Sequence, residues 1–402
     1  MRFATSFLVA FAMVVSVPAS ADIYEEVLRA AALSRDALPP PPPVVDAKRA
    51  ALGGKLFQEK RLSFNDSISC ATCHIDQFAA TDGNPNAVGV LGRGEGPPRA
   101  LSGGAIVPRN VLPFWGRGGQ GFNMFFWDGR VELKDDWVRS VFGDLAPSKD
   151  PLVVAVHLPF VEVREMVVDN AEVDRRFKKE DVDAAAAIYR GLTSRLAADS
   201  EYAAQFKEAY DLAPEQITFL QAADAIASFI RTKFALVDTK FSLFLKGAAK
   251  LTETEVRGGT IFYGKGRCTS CHAGPYFTDF QFHAIPFQQV GFGKNGFGID
   301  YGRFNATHNP RDLYKFRTPP LLNVAKTAPY GHAGSTYSLA DAVTAHFDPL
   351  KFIQVGAMDA FERVEYYRRL LAAAEDFAAV PYLDDEEVKQ LVAFLGTLNL
   401  VN

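Results

Sequence analysis

The chain has 402 residues, with 43 basic and 47 acidic side chains and a formal charge of −4. The two signs are interspersed, so there is neither a basic field to attract nucleic acid nor an acidic block that would read as a disordered tail. With 48% hydrophobic residues the chain can bury two compact cores or one large one. At the start, Arg2 precedes an apolar run from Phe7 to Val17 and then Ala19-Ser20-Ala21, the small-x-small pattern of a signal peptidase site. The run is shorter than the roughly 20 residues that span a bilayer. Residues 1–21 therefore read as an export signal cut between Ala21 and Asp22, leaving a mature chain without a membrane span.

Ile23 to Ser34 patterns as a short helix, and the five prolines Pro39 to Pro43 favour a stiff extended linker because they cannot donate backbone hydrogen bonds. Residues 22–45 thus form an N-terminal helix and linker. Beyond them Leu52-Gly53-Gly54-Lys55-Leu56-Phe57 resembles Arg257-Gly258-Gly259-Thr260-Ile261-Phe262, a weak internal repeat that predicts two related halves, 46–244 and 245–402. Helical periodicity runs through Val182 to Ala197, Glu215 to Phe234, Leu339 to His346 and Asp384 to Leu398. Thr252 with Glu255, and Asp384 with Glu387, form capping boxes at helix starts. Strand signals are sparse, so the chain is expected to be mainly α. From Gly83 to Gly129 and from Gly274 to Pro320, glycine, proline, asparagine and aromatics dominate without periodicity, which predicts long ordered loops wrapped over something bulky.

All four cysteines fall in two identical patterns, Cys70-Ala71-Thr72-Cys73-His74 and Cys268-Thr269-Ser270-Cys271-His272. This is the attachment signature of c-type haem: two thiols reach the two vinyl groups and the adjacent histidine serves as proximal iron ligand. Two local disulfides would not need the histidines, and a four-cysteine zinc site would leave them unexplained. The expected cofactors are two covalently bound haems, each forming the centre of a cytochrome c-like domain with long ordered loops.

With these motifs the sequence resembles the bacterial dihaem cytochrome c peroxidase and MauG family. The resemblance is carried by Gly54-Lys55-Leu56-Phe57 with Arg61-Leu62-Ser63, by Phe126-Trp127-Asp128-Gly129-Arg130, by Gly274-Pro275-Tyr276-Phe277-Thr278-Asp279, by Phe316-Arg317-Thr318-Pro319-Pro320-Leu321, and by Thr327-Ala328-Pro329-Tyr330 with His332. It implies a periplasmic enzyme whose first haem reacts with hydrogen peroxide while a six-coordinate second haem stores an oxidising equivalent. Glu165, before Met166 and six residues after Pro159, matches the family's distal glutamate, which shuttles a proton between the peroxide oxygens; a solvated charge on a helix from Val161 to Val168 is the plainer alternative. Trp127 matches the tryptophan between the haems, against the alternative of a core aromatic. His346 matches the distal ligand of the second haem, where peroxidases carry methionine and MauG tyrosine, with Met358 and Tyr337 as substitutes; it could instead be a histidine facing a helix C-terminus. The resemblance also implies a calcium ion between the domains at Asn110, Thr327 and Pro329, which could equally be ordinary turn residues.

The departures are informative. Ordinary members keep a loop histidine that blocks the first haem until the second is reduced, but no histidine occurs between His74 and His157. The family's distal glutamine cannot be placed, an insertion separates Trp127 from Glu165, Gly331 replaces a phenylalanine and Leu322 an arginine. The expected function is accordingly MauG-like: peroxide generates a high-valent dihaem state that oxidises aromatic residues of a periplasmic partner protein, as in the tryptophan-modifying dihaem enzymes of methanobactin operons. The alternatives are a cytochrome c peroxidase drawing electrons from a small cytochrome c or cupredoxin, and an electron carrier without catalysis.

Overall fold

The computed structural model describes residues 20–168, 182–378 and 380–401. Most of the export signal lies outside the described residues, and the expected cleavage bond, Ala21–Asp22, falls inside the first helix, Ser20–Leu33.

Glycine decides the central packing, and it does so twice. Asp46 caps the helix Ala47–Gln58 by accepting from the backbone N–H groups of Lys48 and Arg49. The buried face of that helix, Leu52, Gly53, Leu56 and Phe57, lies against the helix Phe219–Lys233. A Cβ on Gly53 would stand 1.8 Å from the carbonyl oxygen of Ala225, so the helices cross backbone to backbone as only glycine permits. In the second half the helix Glu253–Tyr263 crosses Asp385–Gly396 in the same manner, where a Cβ on Gly258 would stand 1.9 Å from the carbonyl oxygen of Gln390. Phe229 covers Gly53 and Gly54; Phe394 covers Gly258 and Gly259. The repeated Gly-Gly of the sequence is a repeated helix crossing.

The chain is mainly helical, as the periodicity predicts. The helix Val182–Ala197 and both capping boxes stand where expected. The helix expected from Glu215 starts at Phe219 instead, because Pro214 opens a separate turn and Thr218 with Gln221 forms the cap of the helix itself. The helix expected to reach His346 ends at Thr344. Ser200–Tyr210, capped by Asp199, and Ala360–Ala378 are helices that the periodicity did not single out. The long loops carry only short antiparallel pairs, among them Ala87–Val88 with Ile106–Val107, the hairpin Val131–Lys134 and Trp137–Arg139, and Phe282–His283 with Phe316–Arg317.

The N-terminal helix is built into the second half. Leu28 is fully buried against Gly259, and Arg29 Nη1 donates to the carbonyl oxygen of Leu245 at 2.8 Å. Pro40 to Pro43 then lie along Gly116, Arg231 and Tyr276 before the first half begins. One continuous apolar core runs from Leu28 to Leu400. No helix among the described residues is long and apolar enough to cross a membrane.

Candidate haem sites

Two cavities open in this scaffold, one in each half. The first is lined by Cys70, Cys73 and His74, with Pro159, Glu162, Glu165 and Lys294 also in its wall. His74 directly follows the one-turn helix Cys70–Cys73, and its Nδ1–H donates to the carbonyl oxygen of Ala80 at 2.9 Å. That bond fixes the tautomer and leaves Nε2 as the free lone pair, the disposition of an iron ligand. Phe114 stacks on the ring with centroids 3.8 Å apart. Burial pushes the imidazole down to about 3, so it is neutral and available to a metal.

Glu165 does not sit on a helix. The short turn Leu158–Val161 ends at Glu162, and residues 163–167 form a tight loop closed by the bond from Arg164 N–H to Val167 O at 2.8 Å. The loop is held by two further chain segments: Val90 N–H donates to Arg164 O at 3.1 Å, and Phe64 N–H to Met166 O at 2.9 Å. Gly89 allows this approach, since a Cβ there would lie 1.8 Å from Arg164 O. Burial and the neighbouring charge of Glu162 push the Glu165 carboxyl up to about 7, against the pull of Lys294 and Arg130. It can therefore both hold and release a proton near neutrality.

The second cavity is larger, about 410 Å³ against about 170 Å³, and contains two imidazoles that the sequence pairs. His272 Nδ1–H donates to Phe277 O at 2.9 Å and His346 Nδ1–H to Ala342 O at 2.8 Å, so each keeps Nε2 free. Burial lowers both, His272 to about 4. Tyr337 is exposed, and neither it nor Met358 is among the lining residues. His332 also lines this cavity, but it is stacked flat on Phe316 at 3.8 Å and its Nε2 is hydrogen-bonded to Gln289. Cys271, Asp279 and His283 lie close enough to share a metal ion, yet His283 is already bonded to Asp279 at 2.9 Å and Asp376 at 2.8 Å.

Trp127 lines both cavities. It is buried, packs edge-on to Phe316, and donates its indole N–H to Asn110 O at 2.9 Å. The residues after it hold it rigidly: Asp128 bonds Arg109 at 2.6 Å and Arg130 at 3.0 Å, while a Cβ on Gly129 would strike Arg303. Asn110 Nδ2 donates to Asn84 O at 2.9 Å and Pro329 O at 3.3 Å, which brings two of the three expected calcium residues together; the Thr327 hydroxyl turns to Val324 O instead.

The cavities also contain a group that tests the haem assignment. Arg117 in the first and Arg317 in the second are buried guanidiniums without a carboxylate partner among the described residues, and Arg117 Nε and Arg317 Nη2 have no hydrogen-bond acceptor. Burial, reinforced by repulsion from Arg317, lowers Arg117 to about 9; burial lowers Arg317 to about 10 against the weaker pull of Asp128. Unneutralised buried cations are costly. A flat apolar group with pendant carboxylates, which a haem is, satisfies walls and cations together. The four cysteines are unbridged and flank these cavities.

A family model described as di-haem cytochrome c peroxidase matches residues 47–250, just over half of the chain. The chain belongs to the di-haem cytochrome c peroxidase family. The cytochrome c peroxidase Ccp of Escherichia coli is 27% identical over 300 residues, covering 74% of this chain and 52% of its own, so this chain spans about half the length of that relative. The methylamine utilization protein MauG of Paracoccus denitrificans is 28% identical over 384 residues, covering 88% of this chain and 89% of its own. The crystal structure of a MauG-like protein associated with microbial copper homeostasis superposes with a TM-score of 0.66 at 25% identity, covering 90% and 93% of the two chains. Like its dihaem relatives, the chain is an oxidoreductase of the cytochrome c peroxidase and MauG type.

Within this family frame, sequence reasoning brought His74, Glu165, Trp127, His272 and His346 to the cavity walls but missed Glu162, Lys294 and the two arginines. Glu162 shares a loop with Glu165 and was within reach of a motif reading. Lys294 was not, because nothing in its local sequence points to a cavity in the other half.

Proposed function

We propose that this chain is an exported, periplasmic MauG-like dihaem enzyme that uses hydrogen peroxide to oxidise aromatic residues of a partner protein. One observation carries the reading: the first cavity presents His74 with the carboxylates Glu162 and Glu165, whereas the second presents His272 and His346, each with Nε2 free, beside the hydrogen-bonded His283 and His332, and one indole lines both. When bound, the haems supply redox-active iron at each site. Cys70 and Cys73 would tether the first with His74 as ligand; Cys268 and Cys271 would tether the second between His272 and His346. Glu165 takes a proton from the incoming peroxide and returns it to the departing oxygen; overall peroxide gains two electrons and two protons and leaves as two waters. Trp127 divides one long electron transfer into two shorter ones. His157, the first histidine after His74, is no candidate to block the first cavity: it does not line it, its Nδ1–H is bonded to Val153 O at 2.7 Å, and Phe142, Tyr189 and Phe219 surround its ring. Two haem domains, 46–244 and 245–402, are supported by the repeated helix crossing. Calcium at Asn110, Thr327 and Pro329 is supported by the convergence of Asn84 O and Pro329 O on the Asn110 amide, whose rotation would add a third oxygen.

The test is to mix the diferric protein with peroxide in a stopped-flow spectrometer. Immediate reaction without prior reduction is expected. A protein that is inert until one electron is added would instead be a gated peroxidase supplied by a small cytochrome c or cupredoxin.

A further inference from the structure

Lys294 belongs to the second half of the chain yet lines the cavity of the first. It stands at the tip of a two-stranded hairpin, Phe292–Gly293 with Gly296–Phe297. The hairpin is clamped from across the interface. Asp300, just beyond it, receives Arg109 Nε at 2.8 Å and Arg109 Nη2 at 2.9 Å, and also accepts from the Lys294 backbone N–H at 3.3 Å. Gly293 keeps the tip tight, since a Cβ there would lie 2.0 Å from Ile299 O. Arg109 also binds Asp128, which immediately follows Trp127. The lysine is therefore delivered into the first cavity by the same ionic chain that fixes the indole between the two cavities.

At the end of that chain Lys294 Nζ pairs with Glu162 Oε1, while Arg130 Nη1 holds Glu162 Oε2 at 3.2 Å. Burial alone would raise the Glu162 carboxyl, but Lys294 and Arg130 hold it down at about 2, so it stays ionised; burial and Arg130 lower Lys294, against the pull of Glu162. An ammonium has three N–H donors. Among the described residues Glu162 is the one acceptor that Lys294 Nζ meets. The lysine thus keeps donors in hand in a wall that also holds Glu165, the cations Arg117 and Arg130, and apolar groups such as Pro159 and Phe160.

We propose that Lys294 is a hydrogen-bond donor of the first cavity, holding a small anionic or peroxide ligand bound there, with Glu162 as its positioning residue. The proposal rests on the reading that this position is open. It gives the cavity a donor contributed by the second half, beside the arginines of its own half, and it makes the first site incomplete without the second half.

Anion titration of the diferric holoprotein, followed by absorbance, tests this apart from turnover. Fluoride should bind the parent. Lys294→Met should weaken fluoride about tenfold or more, and Lys294→Arg, which retains charged donors, should stay within about threefold of the parent. Glu162→Gln keeps an oxygen that accepts from Lys294, so the lysine stays placed, while it removes a negative charge beside the same ligand, and should strengthen fluoride by a few fold. Unchanged affinity in Lys294→Met, or equal weakening in Lys294→Met and Glu162→Gln, would overturn the assignment, the second outcome because it reports general damage to the pocket. If Lys294→Met fails to retain two haems, Glu162→Gln decides alone: unchanged or weaker fluoride binding sinks the proposal. A parent that binds neither fluoride nor azide contradicts the open-site reading itself.

Discussion

The two cavities start from the same five-residue motif and the same glycine-enabled helix crossing, but they diverge on the wall facing the motif histidine. In the first half that wall is the loop 158–167, which brings two carboxylates, Glu162 and Glu165. In the second it is the end of the helix Leu339–Thr344, which carries His346 just beyond its last turn. A shared attachment apparatus therefore says little about chemistry; the segment opposite decides whether a site can take an external ligand or is filled by a second imidazole.

The strongest way to break this contrast is His346→Ala. It should remove the low-spin bis-imidazole signal of the second haem in magnetic resonance and let that site bind azide, making the two cavities alike; an unchanged low-spin spectrum would exclude His346 as ligand. Next in size, Glu165→Gln keeps the shape of the side chain but loses the proton shuttle, and the bimolecular rate with peroxide should drop roughly 100-fold or more in stopped flow.

A gentler probe uses pH. Burial and Glu162 raise Glu165 to about 7, so its proton-accepting form is scarce below that pH, and the rate with peroxide should climb as pH rises and level off above about 7. Glu165→Gln should flatten the profile. The stability effect has the opposite sense: a carboxyl raised in the folded state favours folding while protonated, and that contribution is lost as pH rises through about 7. The smallest effect on the first step is expected from Trp127→Phe. Peroxide should still react at the parental rate, while spectral signs of charge shared between the haems disappear. Losing the indole bond to Asn110 O should cost about 1 kcal/mol of stability, measurable by denaturant titration.

How much of this was legible in the sequence depended on how local each signal is. The motif histidines and the Gly-Gly repeat were readable because each lies within a few residues of its signature. Glu165 and Trp127 were readable only through the family resemblance; nothing in Val161 to Val168 distinguishes a loop from a helix until Val90 and Phe64 are seen to bind its backbone. Arg117, Arg317 and Lys294 were out of reach for a physical reason. Their significance comes from which partners they lack or from a partner 132 positions away, as for Lys294 and Glu162, and neither leaves a periodic trace.

The helix Ser20–Leu33 has a consequence for how the molecule is made. It is synthesised before the first half, yet Leu28 is buried against Gly259 in a core that also contains Phe394, which is synthesised after that half. The second half therefore draws on a helix made before the whole of the first half, and a recombinant fragment beginning near residue 245 would expose the surface that Leu28 covers. Anyone dissecting the two haem centres separately should carry residues 20–33 with the second half, joined through a linker, rather than cut the chain where the repeat divides it.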